Sequence, residues 1–89
     1  MKEQEFAFIA KAYQQQNIQW IRLSPDDENT GGLFLLLYSD LSKGSLYDYW
    51  FENIFSAKEW AKKYYGIQEI DWKNRESLEM DGIAIIDEK

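Results

Sequence analysis

Cysteine and histidine are both absent from the 89 residues. Without cysteine there is no disulfide framework, no thiolate zinc site and no thiol nucleophile. Without histidine the chain lacks the usual general base near neutral pH and the commonest metal ligand, so its serines have no ordinary activator. Proline occurs once, at Pro25, and glycine five times. Gly31, Gly32, Gly44, Gly66 and Gly82 suit turns and helix stops; their spacing fits neither a phosphate loop nor a dinucleotide fingerprint. Long apolar runs are missing too. The longest, Leu33 to Tyr38, falls far short of the roughly 20 residues of a membrane span. Met1 is followed by Lys2-Glu3-Gln4-Glu5 and not by an apolar leader, so a cytoplasmic location is expected. Positive charge is the scarcer sign, with 10 Lys and Arg against 16 Asp and Glu and a net charge of −6. That balance disfavours nucleic acid and anionic membranes as partners and favours basic ones.

Aromatic residues, by contrast, are plentiful: four Trp, six Tyr and five Phe. They supply large buried areas and give one small domain over residues 1–89 a rich core. No linker, repeat or low-complexity tract divides it.

Residues 5–16 place Phe6, Ile9, Ala10 and Tyr13 on one helical stripe, which favours a short amphipathic helix ended by Asn17. The competing pattern is a strand, with Phe6, Phe8, Ala10 and Ala12 alternating. Ile18 to Leu23 reads as a strand ending at Ser24-Pro25, and residues 26–32 as a polar loop closed by glycine. Leu33 to Tyr38 has no alternation and should be a central strand buried on both faces. Leu46 to Glu52 makes a third strand, and the short loops require an antiparallel meander. Ser56 and Glu59 form a capping-box pattern, with Phe55 and Trp60 as a hydrophobic staple. With Lys62 and Lys63 in the last turn and Gly66 as the stop, a helix is predicted over 57–65. Asp81-Gly82 is a hairpin signal between Leu78-Glu79-Met80 and a strand at Ile83 to Ile86. The expected class is α+β, in the order α-β-β-β-α-β, with an antiparallel sheet of three to five strands and two helices. Cover for both faces of the central strand comes either from the two helices or from another chain.

Catalytic chemistry finds little support. Asp27-Glu28-Asn29-Thr30-Gly31-Gly32 opens like a calcium loop but puts Gly31 and Tyr38 where ligands belong. Carboxylate pairs such as Asp26 with Asp27, or Asp40 with Asp48, have no evident cleft between them. The expectation is a protein that is not an enzyme and carries no cofactor or metal. Binding is better served. In the strand from Ser45 to Glu52, Tyr47, Tyr49 and Phe51 share one face, while Asp48, Trp50 and Glu52 share the other. An aromatic ring between carboxylates has the make-up of an interface anchor; otherwise Trp50 packs beneath the first helix. From Ser24 to Phe55 six acids stand against Lys43 alone. The candidate partner-binding residues are therefore Asp26, Asp27, Glu28, Asp40, Asp48, Trp50 and Glu52. Asp40 with the 48–52 strand is the more coherent subset. The second helix, with its lysines, is the poorer candidate for a basic partner.

Trp20-Ile21-Arg22-Leu23-Ser24-Pro25-Asp26, the strand to Tyr38 with Asp40, Asp48-x-Trp50-Phe51, Ala57-Lys58-Glu59-Trp60-Ala61, Tyr65-Gly66-Ile67 and Trp72 together resemble small acidic bacterial proteins of the immunity type. These are the inhibitory partners in toxin–immunity systems, including contact-dependent growth inhibition. The resemblance spans roughly residues 20–72 and implies no catalytic motif. It implies a non-catalytic module that neutralises a basic toxin or enzyme domain. The alternative is a homo-oligomeric structural or regulatory protein, a homodimer joined through an uncovered sheet face.

Overall fold

The computed structural model describes residues 1, 3–26 and 31–87. Four strands, β1 (Glu5–Phe8), β2 (Trp20–Pro25), β3 (Leu33–Tyr38) and β4 (Tyr47–Phe51), form one antiparallel sheet in the order β1-β2-β3-β4. Two helices follow, α1 (Ile54–Tyr65) and α2 (Arg75–Met80). The class is α+β, but the strands come first and the helices follow.

The first correction is therefore residues 5–16. They do not form a helix: Glu5–Phe8 pairs with β2, and Lys11–Tyr13 makes one 3-10 turn. The register sets Phe6 opposite Arg22 and Ala7 opposite Ile21. Pairing sends alternate residues to opposite, separately buried faces, and that burial overrides the helical propensity of the Ala and Gln residues. β2 also runs on through Pro25, which pairs with Leu33.

The second correction is the C-terminal region. Residues 75–80 are helical, with the Asn74 side chain accepting a hydrogen bond from Ser77 N. Asp81-Gly82 ends that helix and does not turn a hairpin. Gly82 adopts φ +79, and the amides of Gly82 and Ile83 bond back to Glu79 O and Leu78 O. Ile83 to Asp87 has no regular secondary structure and does not join the sheet.

Helix α1 begins earlier than predicted. Asn53, not Ser56, is its cap, the Asn53 side chain accepting from Ser56 N at 2.8 Å. Phe55 is 71% exposed, so no staple with Trp60 forms. Gly66, at φ +67, closes the helix as expected.

Two cores flank the sheet. Ala7, Ile21, Leu23, Leu33, Leu35 and Leu37 pack against Ala57, Ala61 and Tyr65 of α1. On the opposite face Phe6, Leu36, Tyr38 and Leu41 pack against Leu78 of α2, with Ile83, Ile85 and Ile86 alongside. β3 is thus covered on both sides by its own chain, and the double-sided apolar strand needs no second copy.

Candidate functional site

β4 is an edge strand whose side chains remain largely open to solvent. Tyr47 is 48% exposed, Tyr49 44% and Trp50 49%. The register explains which way each points. Tyr47, Tyr49 and Phe51 stand opposite Leu37, Leu35 and Leu33 and lie on the α1 side, while Asp48 and Trp50 stand opposite Leu36 and Phe34 on the other.

On the α1 side the rings form a cluster centred on Trp60. Its centroid lies 5.2 Å from that of Tyr49, 5.1 Å from Tyr64, 5.8 Å from Tyr65 and 6.1 Å from Phe51. Burial pushes the Tyr65 phenol above its ordinary pKa, with the Tyr49 and Tyr47 phenols adding to the shift. Tyr64, half exposed, has Lys63 Nζ 5.3 Å from its ring centroid. Neither Trp60 nor Tyr64 was among the predicted binding residues. The sequence signal was present, since Trp60 and Tyr64 are four residues apart on one helix face, but it reads equally well as core packing.

On the other side Trp50 does not lie beneath a helix. Its indole covers Gly32, where an added Cβ would overlap the ring, and its Nε1 donates to Asp26 Oδ2 at 2.9 Å. The structure therefore joins Trp50 to Asp26, not to Asp40. Asp40 sits in the turn at the other end of β4. Its Oδ1 accepts from Ser42 N at 2.8 Å and Ser42 Oγ at 2.7 Å. The Ser42 amide, then the Ser42 hydroxyl, hold its carboxyl below the ordinary range, the shape of an Asx turn. Glu52 is exposed just past the end of β4. Asp27 and Glu28 lie outside the described residues.

Elsewhere, a groove of about 440 Å³ is lined by Phe8, Trp20, Ile67, Leu78 and Ile83 together with Asp71, Lys73 and Asp81. It contains none of the predicted residues and carries both signs of charge. None of the described helices is long and apolar enough to cross a membrane.

The chain matches no family model, no curated protein and no solved structure.

Proposed function

We propose that this chain is a non-catalytic protein-binding module of the immunity or inhibitor type, acting in the cytoplasm to neutralise a basic toxin or enzyme domain. The observation that carries the proposal is the β4 edge, where four consecutive residues, Tyr47-Asp48-Tyr49-Trp50, are all exposed. Half-exposed aromatic rings beside carboxylates combine large contact area with charge selection. The net charge of −6 would steer a cationic partner to the surface.

The experiment is co-expression with the toxin-like product of an adjacent gene, read as growth rescue, followed by a binding measurement on the purified pair. Trp50→Ala should cost about 2 kcal/mol or more of affinity. Because half of the ring is already solvated, the same change should cost only about 1–2 kcal/mol of stability and leave a folded domain. A folded Trp50→Ala protein that binds as tightly as the parent would remove Trp50 from the site. A neighbourhood with no toxin-like gene, and no rescue, would count against the immunity reading. The homo-oligomeric alternative rests on an uncovered sheet face, and the cover on both faces of β3 takes away that motive; sedimentation at micromolar concentration tests it directly.

A further inference from the structure

We infer that β4 receives its partner by backbone pairing: an extended segment alternating basic and apolar residues adds to the sheet as a fifth strand along Asp48 and Trp50. The inference rests on the binding function proposed above and specifies how that binding is made.

Hydrogen bonds across the sheet fix which backbone groups face outward. Ile9 N donates to Gln19 O at 2.8 Å, and Asp26 N donates to Gly32 O at 3.1 Å. In an antiparallel ladder each residue bonds to one side only and its neighbours bond to the other. Residues 21 and 23 of β2 therefore bond β1, and its even-numbered residues bond β3. One step on, Leu33, Leu35 and Leu37 bond Phe51, Tyr49 and Tyr47. The N–H and C=O groups of Asp48 and Trp50 point away from the sheet.

The two edges are treated differently. At the β1 edge, the outward groups of Phe6 are closed by Lys73, with Phe6 N to Lys73 O at 2.8 Å and Lys73 N to Phe6 O at 2.7 Å. At the β4 edge no backbone group of the described residues takes the equivalent place. Sheet edges are usually blunted by lysine, proline or a cover. The five residues Tyr47–Phe51 contain neither lysine nor proline.

The side chains specify what would pair there. A residue opposite Asp48 or Trp50 shares their face, where Asp48, the Trp50 ring and Asp26 all favour a cation. A residue opposite Tyr49 lies on the other face, beside rings that favour β-branched or aromatic neighbours. A second copy answers this poorly, because β4 itself offers no cation to meet Asp48.

The test uses the full chain, labelled with nitrogen-15, and a synthetic peptide of about six residues, the usual strand length, alternating arginine or lysine with valine. Bound peptide should slow amide exchange at Asp48 and Trp50 about tenfold, the worth of one net hydrogen bond. Asp48→Pro removes an outward N–H that bonds nothing in the sheet, a change edge strands tolerate. It should weaken the peptide about tenfold or more, while Asp48→Asn, which keeps the N–H, weakens it less and preserves protection at Trp50. Should Asp48→Pro fail to fold, the exchange rates of the parent protein decide alone. Peptide that binds, by shifts at Tyr49 and Trp60, while both amides exchange at the free rate overturns strand addition and leaves protein binding intact. Failure of the peptide to bind at millimolar concentration also overturns it, with growth rescue still deciding the broader function. Concentration-dependent protection without peptide assigns the edge to a second copy and overturns it as well.

Discussion

At the residue scale, Arg22 is the most unusual group in the molecule. It is 1% exposed in the middle of β2, yet no carboxylate among the described residues pairs with it. Its guanidinium donates to Ile86 O at 2.8 Å, Gln4 Oε1 at 2.8 Å and the Tyr38 hydroxyl at 3.3 Å, and it lies 5.3 Å from the Phe6 ring centroid. Its Nε has no hydrogen-bond partner among the described residues. Neutral acceptors and a ring face thus carry most of the desolvated charge. Arg22→Ala leaves a cavity and strands the Ile86 carbonyl, and should cost about 2–4 kcal/mol in urea unfolding. Arg22→Met refills the space without a charge to desolvate and should stay within about 1 kcal/mol of the parent. A methionine variant as unstable as the alanine one would show that the hydrogen bonds, not the packing, dominate. The sequence gives no sign of this burial, because arginine in a strand is usually solvent-facing. The closeness of Trp50 to Gly32 and Asp26 was hidden for another reason: it depends on register between strands that are distant in sequence.

At the scale of elements, strongly patterned segments were legible and short ones were not. β3 appears with the predicted bounds because six apolar residues between turns leave little choice. β1 is not decided by its sequence alone, because its helical and strand patterns coexist and only pairing with β2 chooses between them. Asp81-Gly82 is ambiguous in sequence because glycine at positive φ serves a helix stop as well as a hairpin. The α1 cap offers a direct comparison. Asn53→Ala should cost about 1 kcal/mol in thermal or urea unfolding, whereas Ser56→Ala should stay within about 0.5 kcal/mol; the reverse order would restore Ser56 as the cap. Lys58 of α1 ties that helix to β1 and the following turn, lying 3.1 Å from Glu5 and 3.0 Å from Glu69. Burial works against its charge, but the bonds to Glu69 and Glu5 outweigh it and raise its pKa above 10.5. A raised folded-state pKa stabilises fully below the unfolded value and loses that contribution as pH climbs through the folded one. Lys58→Met should therefore be less stable at neutral pH, by about 1 kcal/mol or less because Glu69 is largely solvated. The stabilities of the two proteins should converge in strongly alkaline solution; a constant gap across pH would mean that packing, not charge, accounts for the loss.

At the scale of the whole molecule, the candidate site was only half legible. The acidic and aromatic character of β4 could be read from composition and alternation. Its union with Asp26 and with the Trp60 cluster needed the fold. The charge of −6 acts on the entire surface, and salt should move two quantities in opposite directions. Screening relieves self-repulsion, so the unfolding temperature should rise modestly between low and physiological salt, by an amount equivalent to about 1 kcal/mol or less. Association with a basic partner should slow over the same range. A partner whose association is indifferent to salt would shift the basis of recognition from charge to the aromatic cluster.

The second core has a consequence for local opening. Phe6, Leu36, Tyr38 and Leu41 are covered by Leu78, Ile83, Ile85 and Ile86, all drawn from one short stretch of chain. Lifting that stretch away leaves the buried layers of the first core in place but only the sheet side of the second. The sheet then presents an apolar face, and the Arg22 guanidinium loses its bond to Ile86 O. Partial opening of this kind, well short of global unfolding, would be the state most open to chaperone capture or proteolysis, and a protease cut within residues 83–87 would trap it.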